Sequence, residues 1–264
     1  MVIERKKDLV LPLYEDLKRK IPIPAAEFIN TKIDWAKVEA PIFLREVPVP
    51  DGNVAAYRRL LEETENAACV ACLQRLNDVR YINKFLETVN RRLQLGGLLV
   101  GRAETSGIRR DRLMTRYPAP LNRAIASFDY FVSRVIPKLP HLKRLYFSLT
   151  RGKNRAISEM EIYGRLYSCG FTLVDSAIVD GQLYFIAKKE KSPEYNMEAT
   201  YGPLIRLRRV GKGGKLIKVY KLRTMYPYSE YLQAFVYERF GLGKGCKMKN
   251  DPRINAVGKF CRKY

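Results

Sequence analysis

Around residue 95 a helical pattern gives way, across a glycine pair, to a short apolar run. Phe85, Leu86 and Val89 recur at three- and four-residue spacing with charged residues between them, which predicts an amphipathic helix. Gln94-Leu-Gly-Gly97 is typical of a helix end, and Leu98-Leu-Val100 is typical of a buried strand. A helix, a glycine turn and a buried strand in succession predict an α/β fold.

A second unit with the same character lies between residues 158 and 189. Ser158 and Glu161 have the spacing of a capping box and predict a helix start, and the glycines at 164 and 170 predict its end. Two strands are expected at 171–174 and 183–187, joined by a tight turn at Asp180-Gly181. This hairpin extends the predicted sheet.

The stretch before these units is harder to assign. Six prolines within residues 1–55 predict an extended arm with one or two short helices. Residues 54–95 are predicted to form two amphipathic helices, beginning near Tyr57. Cys69 and Cys72 fall within them, and because His141 is the only histidine, we interpret this C-x-x-C as part of a core-facing helix surface. Redox or metal chemistry is the alternative.

The chain of 264 residues has a formal net charge of +22, which predicts an anionic partner: nucleic acid, phospholipid headgroups or a phosphorylated substrate. No uncharged apolar run of 18 residues and no secretory signal occurs, so we expect a chain without a transmembrane span that starts in the cytosol. Residues 201–264 hold 16 Lys and Arg against three acids. Over half of the excess charge therefore lies in the last quarter of the sequence.

Residues 121–155 interleave apolar and aromatic side chains with basic ones. Such a segment suits a helix lying flat on an anionic bilayer, or a pair of core-packed helices with basic outer faces. Periodicity does not choose between the two. The polar residues 188–200 that follow the hairpin are predicted to be a linker.

Residues 81–104 resemble the later part of a class I methyltransferase, and the hairpin at 170–187 is similar to the terminal antiparallel strands of that fold. Leu95 stands where that family usually has proline. The resemblance implies an incomplete Rossmann-like unit. The first glycine is Gly52, and no G-x-G precedes Gly96, so no loop is available for the methyl-donor cofactor. A SAM-dependent methyltransferase is therefore the weakest of the functions considered.

The basic C-terminal part has its own pattern. Two short strands are predicted around Gly213-Gly214, followed by a helix from about Tyr228. Gly202-Pro203, the stretch 209–214 and Lys221-Leu-Arg-Thr-Met225 resemble the opening of the bacterial sugar transferase family, the polyprenyl-phosphate sugar-1-phosphate transferases. Residues 250–263 are similar to a later motif of that family. The predicted architecture is thus an α/β unit followed by a small basic α+β segment with a β-hairpin.

This resemblance implies transfer of a sugar-1-phosphate from a nucleotide diphosphate sugar to a polyprenyl phosphate, in capsule, O-antigen or exopolysaccharide synthesis. It implies a peripheral or monotopic place at the cytoplasmic face of the inner membrane, with an anionic membrane surface as partner. Mg²⁺ is expected for the complete enzyme, and none is expected to bind this chain. We divide the chain into an arm (1–55), a methyltransferase-like scaffold (56–190) and the first portion of the transferase domain (191–264).

By resemblance, Arg223 and Arg262 support the substrate phosphates, and Lys221 and Arg253 are secondary candidates. The alternative for each is a structural ion pair or a solvated position. The family's catalytic Asp-Glu pair is expected just beyond Tyr264, so no catalytic residue and no metal ligand is assigned within the chain, and we expect no transferase activity from it.

Two other classes of function are considered. One is a non-catalytic module that binds a membrane surface or a partner. The other is a nucleic-acid binder, which only the basic tail suggests, and because no nucleic-acid-binding motif accompanies the tail, we expect no nucleic-acid partner.

Overall fold

The computed structural model describes residues 15, 17–35, 38, 42–44, 66–195, 202, 204–241 and 251–263. Its α-helices are α1 (Ile23–Lys32), α2 (Ile82–Arg92), α3 (Ser106–Arg116), α4 (Leu121–Tyr130), α5 (Pro140–Thr150), α6 (Glu159–Ser168), α7 (Gln233–Phe240) and α8 (Ala256–Lys263). Its strands are β1 (Ile42–Leu44), β2 (Ala67–Arg75), β3 (Leu93–Ala103), β4 (Phe171–Val179), β5 (Gln182–Lys189), β6 (Leu204–Val210) and β7 (Leu216–Leu222). The helix predicted to begin near Tyr57 starts outside the described residues.

Five strands form one mixed sheet in the order β1-β2-β3-β5-β4. The first three are parallel, and β5 runs antiparallel to both β3 and β4. Asp180 and Gly181 join β4 to β5 and have φ values of 46° and 67°, the left-handed conformations that a two-residue hairpin turn requires. The predicted α/β class and the hairpin are confirmed.

Strand β2 corrects the helix predicted across residues 67–75. Cys69 and Ala71 pack in the core cluster on one face of the sheet, whereas Val70 and Cys72 pack in the cluster on the other. A strand buried on both faces is a continuous apolar run, which periodicity does not separate from a buried helix. Burial raises the pKa of both thiols to about 12, so they stay protonated. The core assignment of the C-x-x-C holds, and its helical assignment was wrong.

Helices cover both faces of this sheet. On one face α1 and the residues beside it, including Ile29 and Trp35, pack against β2, β3 and β5. On the other face Phe85 and Leu86 of α2 and Leu166 of α6 fill the main core. The N-terminal stretch predicted as an extended arm therefore contributes a packed helix and the edge strand β1.

Three element ends differ from the predictions. Helix α2 ends at Arg92, so the stretch from Gln94 to Gly97 lies inside β3, with Gly96 at a φ of 80°. Gly164 lies within α6, which ends at Ser168. The predicted linker begins inside β5, where Lys189 Nζ donates hydrogen bonds to the carbonyls of Asn90 and Leu93 at 2.6 and 2.7 Å.

The amphipathic segment forms α4, a π-helical turn (Phe131–Val135), a 3-10 turn (Ile136–Lys138) and α5. Tyr146 of α5 is buried, but Leu142, Leu145 and Leu149 are 42, 59 and 76% exposed. Helix α5 thus packs through Tyr146 and leaves these three leucines exposed. Among the described residues no helix is both long enough and apolar enough to cross a membrane.

Strands β6 and β7 form the predicted basic hairpin. They pair antiparallel from Leu204 with Leu222 to Val210 with Leu216, around a turn at Lys212–Gly214. Most side chains of the hairpin are exposed. A 3-10 turn (Ser229–Leu232) and α7 follow, where a helix was predicted from Tyr228.

Candidate functional site

The two C-terminal sequence motifs meet in space. Met225 forms an antiparallel bridge with Ile254, and the backbone N–H of Tyr226 donates to the carbonyl of Arg253 at 2.8 Å. The backbone N–H of Asn255 donates to the carbonyl of Thr224 at 3.1 Å. Motifs about 30 residues apart in the chain therefore form one local structure.

Asn255 and Gly258 hold this junction together. The Asn255 side-chain amide donates to the carbonyls of Arg223 and Met225 at 3.1 and 3.3 Å, and its Oδ1 accepts from the N–H of Gly258 at 2.8 Å, which caps α8. A Cβ on Gly258 would stand 2.0 Å from the carbonyl oxygen of Thr224, so only glycine permits this approach. Neither residue was predicted to have a role, although an Asn directly before a helical pattern is an N-cap signal.

The four predicted site residues occupy different environments. Arg223 is half-buried, and its Nε donates to the carbonyl of Gly202 at 2.9 Å. Lys221 lies on β7 opposite Ile205, and Arg262 lies near the end of α8; both are exposed. Arg223 and Arg253 are brought together by the junction, whereas the Lys221 side chain lies on the hairpin.

Arg253 forms a structural ion pair, which was one of the alternatives to a phosphate-binding role. Its buried guanidinium binds Asp251 through Nε and Nη2, at 3.0 and 2.8 Å, and its Nη1 donates to Gln233 Oε1 at 2.6 Å. Burial alone would raise the pKa of Asp251, but Arg253, with the charge of Arg262, holds it below its ordinary value. Arg253 therefore orders the junction and is not placed as an open phosphate ligand.

The C-terminal motifs also match a known family. The model of the family described as Bacterial sugar transferase matches residues 195–264, about a quarter of the chain. This segment is therefore similar to the bacterial sugar transferases. We call residues 195–264 the transferase segment.

A curated relative carries a more specific name. The undecaprenyl-phosphate galactose phosphotransferase of Salmonella typhimurium strain LT2 is 47% identical over 60 residues. The match covers 21% of this chain and 13% of that protein's length. The likeness is thus confined to a short part of a much longer relative.

Solved structures similar to the chain include a putative methyltransferase from Bacillus halodurans, with 12% identity and a TM-score of 0.33 over 63% of this chain and 99% of that one. An O-methyltransferase family 2 protein from Planctomyces limnophilus has 14% identity and a TM-score of 0.28, over 56% and 42%. These scores are too low to carry an argument. The α/β assignment rests on the sheet itself.

The transferase segment docks on α6 of the α/β unit. A Cβ on Gly164 would stand 2.5 Å from the carbonyl oxygen of Tyr228, so the absence of a side chain allows the two backbones to touch. The Tyr228 hydroxyl accepts a hydrogen bond from Asn83 Nδ2 at 2.8 Å. Leu232, Phe235 and Val236 complete the main core of the α/β unit. The segment is therefore packed into the same hydrophobic core as the sheet.

A wide cleft of about 1220 Å³ opens beside this contact. Gly202 and Tyr228 of the transferase segment line one side, and the start of α2, the turns after α4, helix α5, the loop that follows it and helix α6 line the rest. Nine of the described residues that line it are Lys or Arg, against one acid, Glu161. Such a cleft concentrates anions.

Glu161 is buried among three cations. Its Oε1 accepts from Arg165 Nη2 at 2.8 Å, and its Oε2 forms an ion pair with Arg134. Burial alone would raise its pKa, but the charges of Arg134, Arg165 and Lys138 hold the pKa well below the ordinary value. The predicted capping contact exists through Ser158, whose Oγ accepts from the Glu161 N–H at 3.2 Å, while the Glu161 carboxylate serves the arginines.

The described residues do not fit the Mg²⁺ that the family resemblance implies. Among them, no group of three or more His, Cys, Asp and Glu side chains could hold a metal ion. Asp251, the one buried acid in the described part of the transferase segment, is bound to Arg253.

Proposed function

We propose that this chain takes part in the transfer of a sugar-1-phosphate from a nucleotide diphosphate sugar to a polyprenyl phosphate carrier, as in capsule, O-antigen or exopolysaccharide synthesis. The observation that carries the proposal is the junction of the two family motifs, one of which contains Arg223. Arg223 Nε donates to the carbonyl of Gly202, and Gly202 lines the basic cleft. The name of the Salmonella relative supports the acceptor class.

The chemistry explains the need for fixed cations. An oxygen of the acceptor phosphate attacks the phosphorus bonded to the sugar, a new P–O–P linkage forms, and the bond to the leaving nucleoside monophosphate breaks. Negative charge surrounds the phosphorus throughout, and prepositioned cations stabilise it. Arg223 and Arg262 are the proposed phosphate ligands, Lys221 on β7 is a secondary candidate, and Arg253 positions the junction.

The acceptor is tested by comparing polyprenyl phosphate with the uncharged polyprenol in otherwise identical nanodiscs. We expect the chain to bind the phosphate form roughly tenfold or more tightly, because a charge-assisted phosphate contact is lost with the alcohol. Equal binding to both would contradict the proposed acceptor and would favour the alternative of a non-catalytic module that binds a membrane surface.

We further propose that α4 and α5 rest on the cytoplasmic face of the inner membrane. Phe128 of α4 is 71% exposed, and Leu145 and Leu149 of α5 lie on one exposed apolar face. Lys143 and Arg144 lie on the same helix. Exposed apolar side chains bordered by cations suit an anionic lipid surface.

Vesicle flotation tests this surface. The chain is expected to float with phosphatidylglycerol-containing vesicles and to stay unbound with phosphatidylcholine alone. The double variant Phe128→Ser, Leu149→Ser should bind roughly tenfold or more weakly, because two apolar side chains no longer enter the bilayer. The control is Leu95→Ser, a leucine 73% exposed on β3. Unchanged flotation of the double variant would remove this proposal.

A further inference from the structure

The basic cleft is lined mainly by residues outside the transferase segment. Of the described residues that line it, all but Gly202 and Tyr228 belong to the part of the chain between residues 80 and 165. The family match at 195–264 therefore assigns no role to most of its cations. The lining residues Arg80 to Lys84 come after the carboxyl end of β2 in the chain. Open α/β sheets bind their ligands at the carboxyl ends of their strands.

Four of the cations lack a partner of their own. Within the part of the chain that the structure describes, Lys138, Lys143, Arg144 and Arg151 form no hydrogen bond and no direct ion pair, although the charge of Glu161 acts on Lys138. Glu161 is the one acid in the lining, and Arg134 and Arg165 already bind it. Lining charge thus exceeds what the described residues neutralise.

Lys138 is the most constrained of these cations. It is half-buried, and desolvation lowers its pKa to about 8. The charged groups that face it are Glu161, which opposes this shift, and Arg134, Arg165 and Arg223, which add to it. An anion bound to Lys138 would offset both the cost of desolvating its ammonium group and the repulsion from the three arginines.

Other lining residues fix the positions of the surrounding guanidinium groups. Arg155 Nη2 donates to the carbonyls of Val79 and Arg80, and the Arg155 guanidinium lies 5.6 Å from the centre of the Phe147 ring. Arg80 lies over the Tyr81 ring at 5.2 Å. Such contacts hold the cations in place before a ligand arrives, which reduces the ordering cost of binding.

We propose that this cleft is a binding site for a diphosphate anion, with Lys138 as its central ligand. Several fixed cations match an anion of two or more charges, and a cavity of about 1220 Å³ has room for a group esterified to the diphosphate. The site goes beyond the proposed transfer reaction, because its cations lie outside the transferase segment. The diphosphate can come from a soluble nucleotide or from a lipid.

Calorimetric titration of the whole chain tests the site, with ADP as the soluble probe and farnesyl diphosphate in micelles as the lipid probe. Binding of either supports the proposal and assigns the source. Lys138→Met should weaken that binding roughly tenfold or more, because a charge-assisted contact is lost, whereas Lys188→Met, on an exposed ion pair with Glu190, should leave it unchanged. No binding of either probe, or equal binding by Lys138→Met, overturns it.

A pH profile separates a ligand role from a structural one. The charge on ADP is nearly constant between pH 7.5 and 9.0, whereas a lysine with a pKa of about 8 loses most of its charge over this interval. ADP affinity should therefore fall roughly eightfold from pH 7.5 to 9.0. Lys138→Arg, which stays charged, should bind ADP with little change over the same interval, and identical profiles for this variant and the wild type would overturn the role of Lys138.

Discussion

Replacing Glu161 by glutamine is expected to lower the free energy of unfolding by about 3–5 kcal/mol, because the variant leaves Arg134, Arg165 and Lys138 buried together with no compensating charge. Chemical denaturation measures the change. The matched control is Glu190→Gln, which removes an exposed ion pair with Lys188 and should cost less than about 1 kcal/mol. A loss for Glu161→Gln no larger than the control's would contradict the buried cluster.

The contribution of the Glu161 carboxylate to the free energy of unfolding depends on pH. Its pKa is depressed in the folded state, so its stabilising contribution is fully present above the unfolded value of about 4.3 and is lost as the pH falls toward the folded pKa. The stability difference between the wild type and Glu161→Gln should therefore shrink as the pH is lowered below about 4.3. A difference that stays constant to pH 3 would mean that the ionised carboxylate is not the source of the effect.

Replacing Gly164 by alanine should separate the transferase segment from the α/β unit. In most helices this change stabilises the protein by about 0.5–1 kcal/mol, but here the new Cβ meets the Tyr228 carbonyl oxygen at 2.5 Å, and a backbone atom does not move aside cheaply. We expect a net loss of about 1–3 kcal/mol. Hydrogen exchange should be faster in α7, which follows Tyr228.

Gly107 provides the control for this experiment. It also lies in a helix, α3, but the nearest atom to its built Cβ is Thr105 Oγ1 at 3.7 Å. Gly107→Ala should therefore be neutral or stabilising by up to about 1 kcal/mol, with exchange in α7 unchanged. If Gly164→Ala behaves in the same way as Gly107→Ala, then α6 and Tyr228 do not touch as described.

Local signals in the sequence predicted the elements that are built from local interactions. The cap at Ser158 and the turn at Asp180-Gly181 fix the backbone over a few residues, so spacing and residue type were sufficient. Strand β2 was missed because it is buried on both faces, which erases the alternation that marks a strand. β1, three residues long, has too little sequence to show a pattern.

Only the site residues that lie within a recognisable sequence motif could be predicted. Arg223 and Arg253 belong to recognisable motifs, yet sequence did not show that Asp251 binds Arg253. The contact of Gly164 with Tyr228 joins residues 64 positions apart, and Lys138 owes its environment to α6 and to Arg223. Such contacts depend on tertiary packing. Their residues therefore have no distinguishing pattern in the sequence.

The central claim is that the transferase segment holds the phosphates of a sugar nucleotide through Arg223. Calorimetric titration with a panel of nucleotide diphosphate sugars tests it most directly, on the wild type, on Arg223→Ala and on Lys215→Ala, which alters an exposed lysine beside the hairpin turn. We predict binding to the wild type, a loss of roughly 10- to 100-fold for Arg223→Ala, and a change within about twofold for Lys215→Ala. No binding to the wild type, or equal losses in the two variants, would contradict the account.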